Sequence, residues 1–219
     1  WQFAIAKGHA TRDISQDIKK ALKERKKGHF PAITNPAQLG ELLRASDGYG
    51  GGPVVRCALA IAPILFQRPA NLRTMRWADI DLAAGWWTIP SADMKRRVAA
   101  KRYGAAHKVP LPRQAVADIL KLQPLTGHGE YVFPGMRDHH KPMSEAAVNA
   151  ALHAMGYKGI HTWHGYRATG RTLLREVFKV DIDVIEAQLA HVGGKTHNGA
   201  YDRTTFVDER VTVLQQWAD

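Results

Sequence analysis

Residues 164–178 read HGYRATGRTLLREVF, a His-x-x-Arg motif at the start of a segment with helical spacing. Twenty-four residues after Arg167, His191 stands at the end of the next predicted helix, and Tyr201 follows it by ten residues. Far upstream, Arg68 precedes a proline and another short predicted helix. The side chains capable of chemistry therefore lie near the ends of predicted helices, in a fixed order along the chain.

Around this stretch the sequence predicts a mainly α-helical fold with a small three-stranded antiparallel β-sheet. Asn35 before Pro36 is a typical helix start, with a side-chain cap followed by proline at the first helical position. Aromatic and β-branched runs bounded by turn residues predict the strands. Helical spacing covers 36–47, 54–66, 69–76, 113–122, 144–155, 166–178, 182–190 and 203–217, and the predicted strands are 86–89, 94–96 and 108–111.

Composition bounds the class of protein. The 219 residues are 45% hydrophobic, which suits one well-packed domain. The formal net charge of +11 favours a polyanionic partner such as nucleic acid, although a basic protein without such a partner has the same balance. The longest apolar run, 57–66, is about half the length that a membrane span needs. The single cysteine, Cys57, lies in that run, reads as a core residue and fits a reducing cytosol.

Metal- and ATP-dependent chemistry finds no support in the motifs. The histidines at 161 and 164, at 139 and 140, and at 191 and 197 lack a carboxylate or cysteine partner at a recognised ligand spacing. No glycine-rich loop is followed by Lys and Ser or Thr, as a phosphate-binding loop requires. We therefore expect neither a metal nor another cofactor.

Taken together and in order, these segments resemble the tyrosine recombinase family, and within it the integrases of prophages and genomic islands. The resemblance runs from about residue 30 to the end and implies the catalytic fold of these DNA breaking-rejoining enzymes over residues 28–219. Residues 1–27 then correspond to the last helix of a core-binding domain plus a basic linker. The segments that carry the resemblance are Arg68-Pro69, RWADIDL at 76–82, WWTIP at 86–90, Met94-Lys95, VPL at 109–111, YVFP at 131–134, HGYRAT at 164–169, LAHV at 189–192 and AYDR at 200–203.

The resemblance implies that Tyr201 is the nucleophile and forms a 3′-phosphotyrosyl bond with DNA. Arginine suits the charge of a phosphoryl transition state because its guanidinium stays charged and donates two parallel hydrogen bonds. Arg68 and Arg167 take that role, and a surface ion pair is the structural alternative for each. An aromatic side chain packed on the core is the alternative for Tyr201.

The same resemblance assigns His164 as a proton acceptor for the tyrosine or a donor to a phosphate oxygen, and His191 as a support for the phosphate and the transition state. Lys95, expected in the sheet, corresponds to the lysine that protonates the departing 5′-oxygen. The segment after Lys95 is longer than in many relatives, so several lysines compete for this role. Its basic residues are expected to follow the DNA backbone: Arg96, Arg97, Lys101, Arg102 and Lys108.

The function implied is that of a site-specific recombinase that integrates or excises a mobile element by cutting and rejoining double-stranded attachment sites. The expected assembly is a homotetramer on DNA for the full-length protein and a monomer for this chain alone, with a directionality factor as a further candidate partner and no membrane. The expected location is the bacterial cytoplasm, at the nucleoid. Relaxation of DNA in the manner of a type IB topoisomerase and a catalytically silent DNA-binding module are the alternatives.

Two expectations concern the ends of the chain. As a fragment, the chain is expected to bind DNA weakly and without much specificity, and to recombine it poorly or not at all on its own. The segment 202–219 carries apolar residues at helical spacing, and packing on its own domain and packing on a neighbouring protomer are both open.

Overall fold

A computed structural model describes residues 1–19, 28–95, 104–191 and 205–219. Over these residues the chain is mainly α-helical with one three-stranded antiparallel sheet, as predicted. The helices are α1 (Gln2–Ala6), α2 (Ser15–Lys19), α3 (Pro36–Asp47), α4 (Pro53–Leu65), α5 (Pro69–Arg73), α6 (Arg113–Thr126), α7 (Ala147–Ala154), α8 (Gly165–Glu176), α9 (Ile182–Gln188) and α10 (Val207–Ala218), and the strands are β1 (Ile80–Asp81), β2 (Trp86–Ile89) and β3 (His107–Pro110).

Helix α4 forms the centre of the domain. Its sequence is almost wholly apolar, and Leu59, Ile61 and Leu65 are 0% exposed. It contacts α3, α5, α6, α7, α8 and α10, so that most of the helices pack around it. The helix ends at Phe66, whose backbone adopts the left-handed conformation with φ of 56°. After this turn the chain leaves the core and reaches Arg68, which precedes α5.

The start of α3 confirms the capping pattern in the sequence. The Asn35 side chain accepts hydrogen bonds from the backbone N–H groups of Ala37 at 3.0 Å and Gln38 at 3.2 Å, and Pro36 occupies the first helical position. An asparagine cap satisfies donors that have no partner within the helix, and proline lacks the donor that would be left over. The predicted end at Asp47 is also confirmed.

The sheet contains two of the three predicted strands. β2 pairs with β3 in a register that places Trp87 opposite Val109. The third strand is β1, which pairs with β2, and the predicted strand at 94–96 is wrong for Met94 and Lys95, while Arg96 lies outside the described residues. A 3₁₀ turn over Ser91–Asp93 precedes Met94, and the Asn71 side chain donates to the Asp93 carbonyl at 2.9 Å. That contact holds the backbone immediately before Met94, whose side chain is buried in the core.

In the single chain, the C-terminal helix α10 packs on its own domain. It contacts α4, α9 and β3. Leu214 is 0% exposed, and the Trp217 indole N–H donates to the Pro63 carbonyl at 2.9 Å. The Trp217 ring also lies 5.2 Å from the Phe66 ring, between centroids. Phe66 therefore belongs to a second apolar cluster in which α8, α9 and α10 meet.

Helices α1 and α2 lie in the segment 1–27, whose assignment as a domain remnant with a linker remains a prediction. Their apolar side chains are largely exposed, including Phe3 and Ile18. In the part of the chain that the structure describes, none of the helices is both long enough and apolar enough to cross a bilayer.

We predict that Gly170→Ala destabilises the domain by about 2 kcal/mol, because the added methyl overfills a packed site. A Cβ atom at Gly170 would lie 2.3 Å from Cδ1 and Cε1 of Phe66, whose ring is held by Trp217. An ordinary Gly→Ala change inside a helix stabilises instead, so the sign of the effect is diagnostic. Chemical denaturation measures it. Gly50→Ala is the control, since its Cβ meets no atom within 4 Å, and equal stability of the two variants would contradict the packing.

Candidate active site

Two adjoining cavities lie where α8 begins and where α4 and α9 end. The first, of about 290 Å³, is lined by His164, Arg167 and His191 among others. The second, of about 400 Å³, is lined by Arg68 together with His164. Phe30 and His164 line both cavities, so the two lie side by side, and we call them together the cleft. Four of the residues predicted for catalysis therefore line this cleft, although they come from distant parts of the sequence.

Arg167 is the buried centre of this cleft, at 5% exposure. Its Nη1 donates to the Phe66 carbonyl at 2.6 Å, and its Nη2 donates to the Leu189 carbonyl at 2.8 Å. These carbonyls follow the last residues of α4 and α9, where helices leave acceptors without partners. Nη2 also lies 3.0 Å from Nε2 of His191. Arg167 thus joins two helix ends to a histidine with one planar group.

Close packing behind α8 makes this position of Arg167 attainable. A Cβ atom at Gly165 would lie 2.4 Å from the Pro31 carbonyl oxygen, so the glycine lets the start of α8 press against the 31–33 backbone. The Thr169 hydroxyl, one turn further, donates to the Ile33 carbonyl at 2.6 Å. Tyr166, next to Gly165, is buried in the core at 1% exposure.

Arg68 provides a second cation at the cleft. It precedes α5, is half-buried, and its Nη2 donates to the Ala190 carbonyl at 3.4 Å. Burial, and then the positive charge of Arg68, lower the pKa of Arg167 to about 10, which still leaves Arg167 charged at neutral pH. Two guanidinium groups that raise each other's energy in this way favour the binding of an anion between them.

His164 is half-buried at the start of α8, and its ring packs on Phe30 with centroids 4.5 Å apart. Burial lowers its pKa from the ordinary value, and the charges of Arg167, Arg68 and Lys95 lower it further. His164 is therefore neutral at pH 7 and able to accept a proton. Lys95 is exposed, and its charge is felt at His164.

His191 follows α9 in a helix-ending turn that the sequence did not reveal. Its backbone N–H donates to the Glu186 carbonyl at 3.0 Å, and the N–H of Ala190 donates to the Ala187 carbonyl at 3.1 Å. Ala190 has φ of 49°, a conformation that usually calls for glycine. This turn brings the side chains of Glu186 and His191 together, and His191 Nδ1 contacts Glu186 Oε2.

Glu186 and Arg171 are site residues that the sequence reasoning missed. Arg171 Nε donates to Glu186 Oε1 at 2.6 Å. Partial burial works against ionisation of Glu186, but its hydrogen bonds with Arg171 and His191 prevail and lower its pKa. One signal was available in the sequence, because Arg171 lies four residues after Arg167 and so shares its helix face. The turn at Ala190 was not foreseeable without a glycine to mark it.

Two side-chain amides link the ends of α4 and α9. Gln67 Nε2 donates to the Gln188 carbonyl at 2.8 Å, and Gln188 Nε2 donates to the Leu65 carbonyl at 3.1 Å. Arg210 of α10 then donates to Gln188 Oε1 at 3.0 Å, and to the carbonyl of Lys108 on β3. Gln188, which precedes the segment 192–204, and Arg210, which follows it, are thereby joined by a hydrogen bond.

Several predicted site residues fall elsewhere. Tyr201 and four basic loop residues, Arg96, Arg97, Lys101 and Arg102, lie outside the described residues, so their predicted roles stay predictions. Lys108 is on β3 with an exposed side chain. Across the described ranges, no three histidine, cysteine, aspartate or glutamate side chains are grouped so as to hold a metal ion.

The chain is similar to known proteins both in sequence and in structure. The profile of the phage integrase family matches residues 33–206. Prophage integrase IntZ of Escherichia coli strain K12 is 36% identical over 222 aligned residues, covering 100% of this chain and 52% of that protein. The integrase of Enterobacteria phage P4 is 33% identical over 228 aligned residues, covering 100% of this chain and 51% of that protein.

Among solved structures, a lambda integrase tetramer bound to a Holliday junction matches with a TM-score of 0.59 and 18% identity. The match covers 90% of this chain and 56% of that one, and at this identity it concerns the fold. The chain spans about half the length of the curated relatives it matches.

We predict that buried His161, behind the cleft, makes stability depend on pH. Its Nδ1 accepts a hydrogen bond from the Ile33 N–H at 3.0 Å, and burial lowers its pKa to about 4. The unfolded chain binds a proton at this histidine below about pH 6.5, where the folded chain does not. Its contribution is therefore full above about pH 6.5 and falls as the pH drops towards 4, by about 2 kcal/mol at about pH 5.

His161→Gln removes this contribution. Denaturant unfolding should show a stability gap between the original chain and this variant that is about 2 kcal/mol smaller at about pH 5 than at about pH 7.5. Exposed His153 on α7 offers the matched control, because His153→Gln should give the same gap at both values. A gap for His161→Gln that does not change with pH would contradict a buried neutral imidazole.

Proposed function

The chain belongs to the phage integrase family of tyrosine recombinases, and from this we propose that it is the catalytic part of a site-specific recombinase. It cleaves and rejoins double-stranded DNA at attachment sites, so that a mobile element is integrated or excised. The single observation that carries the proposal is the cleft in which Arg68, Arg167, His164 and His191 meet. Because the matched relatives are about twice as long as this chain, the activity proposed is that of the intact protein.

The chemistry suits a phosphodiester because the cleft concentrates fixed positive charge. A phosphoryl transition state spreads negative charge over its equatorial oxygens, and preorganised donors stabilise it without reorganising at the moment of reaction. Arg167 is fixed in this sense, since main-chain carbonyls hold its guanidinium plane. Arg68 adds a second fork beside it. Each arginine can direct N–H groups at the non-bridging oxygens of the scissile phosphate.

Tyr201 is proposed as the nucleophile. Its oxygen attacks the phosphorus and forms a 3′-phosphotyrosyl bond, while the bond from phosphorus to the 5′-oxygen of the DNA breaks. Neutral His164 is available to accept the phenolic proton, and Lys95 is the candidate that supplies a proton to the departing 5′-oxygen. The covalent bond conserves the energy of the phosphodiester. Attack by another 5′-hydroxyl then reverses the step and joins new strands.

Partners and location follow from this activity as proposals. Double-stranded DNA is the substrate, and the net charge of +11 suits its backbone. Lys108 and the basic residues at 96, 97, 101 and 102 would contact phosphates. Lambda integrase forms a tetramer on a Holliday junction, and we propose a homotetramer on DNA for the intact protein, with a directionality factor as a further candidate partner. Its substrate places it with the chromosome in the bacterial cytoplasm.

The decisive test traps the covalent intermediate. A nicked duplex that carries the attachment site releases a short strand after cleavage, so the DNA cannot be resealed. We predict that the intact protein then accumulates as a covalent protein–DNA adduct, visible as a shifted band in a denaturing gel. Tyr201→Phe should abolish the adduct, because phenylalanine has no oxygen to attack phosphorus. Tyr157→Phe is the matched control and should form adduct normally, since Tyr157 lies in the turn after α7.

Three outcomes would count against the proposal. Adduct that persists in Tyr201→Phe would remove Tyr201 as the nucleophile. Relaxation of supercoiled plasmid without an attachment site, at a rate matching cleavage of the site, would favour a topoisomerase. DNA binding with no adduct at all would indicate a silent binding module.

A further inference from the structure

We propose that Glu186 is a positioning residue that holds the His191 imidazole with its proton on Nδ1 and its Nε2 facing the phosphate-binding cleft. The inference rests on the proposed function, which gives His191 its phosphate. It concerns a residue that the motifs of the sequence did not single out. The observation behind it is that one carboxylate bridges Arg171 and His191, both of which line the cleft.

The hydrogen-bond partners of His191 fix where its proton lies. Arg167 approaches Nε2, and because a guanidinium carries only donors, Nε2 must present a lone pair to it. Glu186 contacts Nδ1, and because an ionised carboxylate carries only acceptors, Nδ1 must carry the proton. The two contacts require the same tautomer of the neutral ring. A single carboxylate on the opposite side of the ring therefore determines which nitrogen faces Arg167.

Glu186 is itself held in place. Arg171 Nε donates to its other oxygen at 2.6 Å, and the Glu186 side chain is 20% exposed. The turn that ends α9 also bonds the Glu186 carbonyl to the His191 N–H, so that the two residues are joined by both backbone and side chain. The pKa of Glu186 lies below its ordinary value, since the hydrogen bonds with Arg171 and His191 outweigh the opposing effect of burial. The Glu186 carboxylate is therefore ionised at neutral pH.

The consequence concerns how His191 meets a phosphate. A half-exposed imidazole without Glu186 could rotate about its side-chain bonds and exchange its proton between the two nitrogens. With Glu186 in place, the ring plane and the identity of the nitrogen at the cleft are set before DNA arrives. If Nε2 takes up a proton, the carboxylate balances the positive charge of the ring, as an orienting carboxylate does for a catalytic histidine in other enzymes.

Glu186→Gln tests the role in the intact protein. Glutamine has nearly the same size, but its amide can accept from or donate to Nδ1, so the tautomer is no longer dictated. In single-turnover cleavage of a nicked duplex that spans the junction of the element with the host chromosome, we predict a rate reduced about 10- to 100-fold. DNA affinity, measured on the same duplex, should change little because Arg68 and Arg167 remain.

The matched control is Glu130→Gln, which makes the same change in a glutamate that accepts from an arginine Nε. Glu130 Oε1 accepts from Arg76 Nε at 2.9 Å, and neither residue lines the two cavities of the cleft. It should cleave at the rate of the original protein. Thermal unfolding of both variants shows whether either change merely weakens the fold.

Nitrogen NMR of the His191 ring measures which ring nitrogen carries the proton. If Glu186 only stabilised the fold, Glu186→Gln would leave this tautomer unchanged. In the original protein at about pH 8, where imidazoles are generally neutral, the proton should be found on Nδ1, and in Glu186→Gln the ring should show both tautomers. A proton on Nε2 in the original protein, or a Glu186→Gln variant with unchanged cleavage, would overturn the inference. Absence of adduct with the original protein would instead sink the proposed function, and the NMR result would still judge Glu186.

Discussion

The buried guanidinium of Arg167 ties together the ends of two helices that are far apart in the sequence, and the candidate site is built on that tie. Its donors meet the carbonyls of Phe66 and Leu189, which α4 and α9 leave without partners. Both helices end in backbone turned to positive φ, at Phe66 and at Ala190. A residue in that conformation costs free energy, and a charged donor that satisfies the helix end offsets the cost.

A buried cation held by neutral carbonyls has chemical consequences. Carbonyl oxygens stabilise the guanidinium but do not cancel its charge, and Arg68 lies close enough to lower its pKa. A phosphate bound in the cleft would supply negative charge to these guanidinium groups. Because the site is partly shielded from solvent, the attraction between phosphate and guanidinium is stronger there than in water. The same arrangement serves folding and chemistry, because the contacts that hold α4, α8 and α9 together also aim the guanidinium at the cleft. Glu186 contacts His191 Nδ1, and its negative charge also acts on Arg167, where it opposes the lowering of the pKa.

Much of this was predictable from local sequence, and the reasons are specific. The Asn35-Pro36 start of α3 follows from capping preferences, whereas the choice of Arg68, His164, Arg167 and His191 as site residues follows from the family resemblance. The strand β1 was missed because two residues carry no alternation, and Met94 was misassigned because a contact from distant Asn71 decides its backbone. Glu186 and the Gln67–Gln188 pair escaped because their partners come from other helices, and only tertiary packing brings them together.

The most direct test of the account is a crystal structure of the intact protein trapped on nicked attachment-site DNA. We expect phosphorus bonded to the Tyr201 oxygen, with non-bridging oxygens about 3 Å from guanidinium nitrogens of Arg68 and Arg167. Arg167 should still donate to the carbonyls of Phe66 and Leu189 in that complex. A phosphate bonded to another residue, or one that lies away from both arginines, would contradict it.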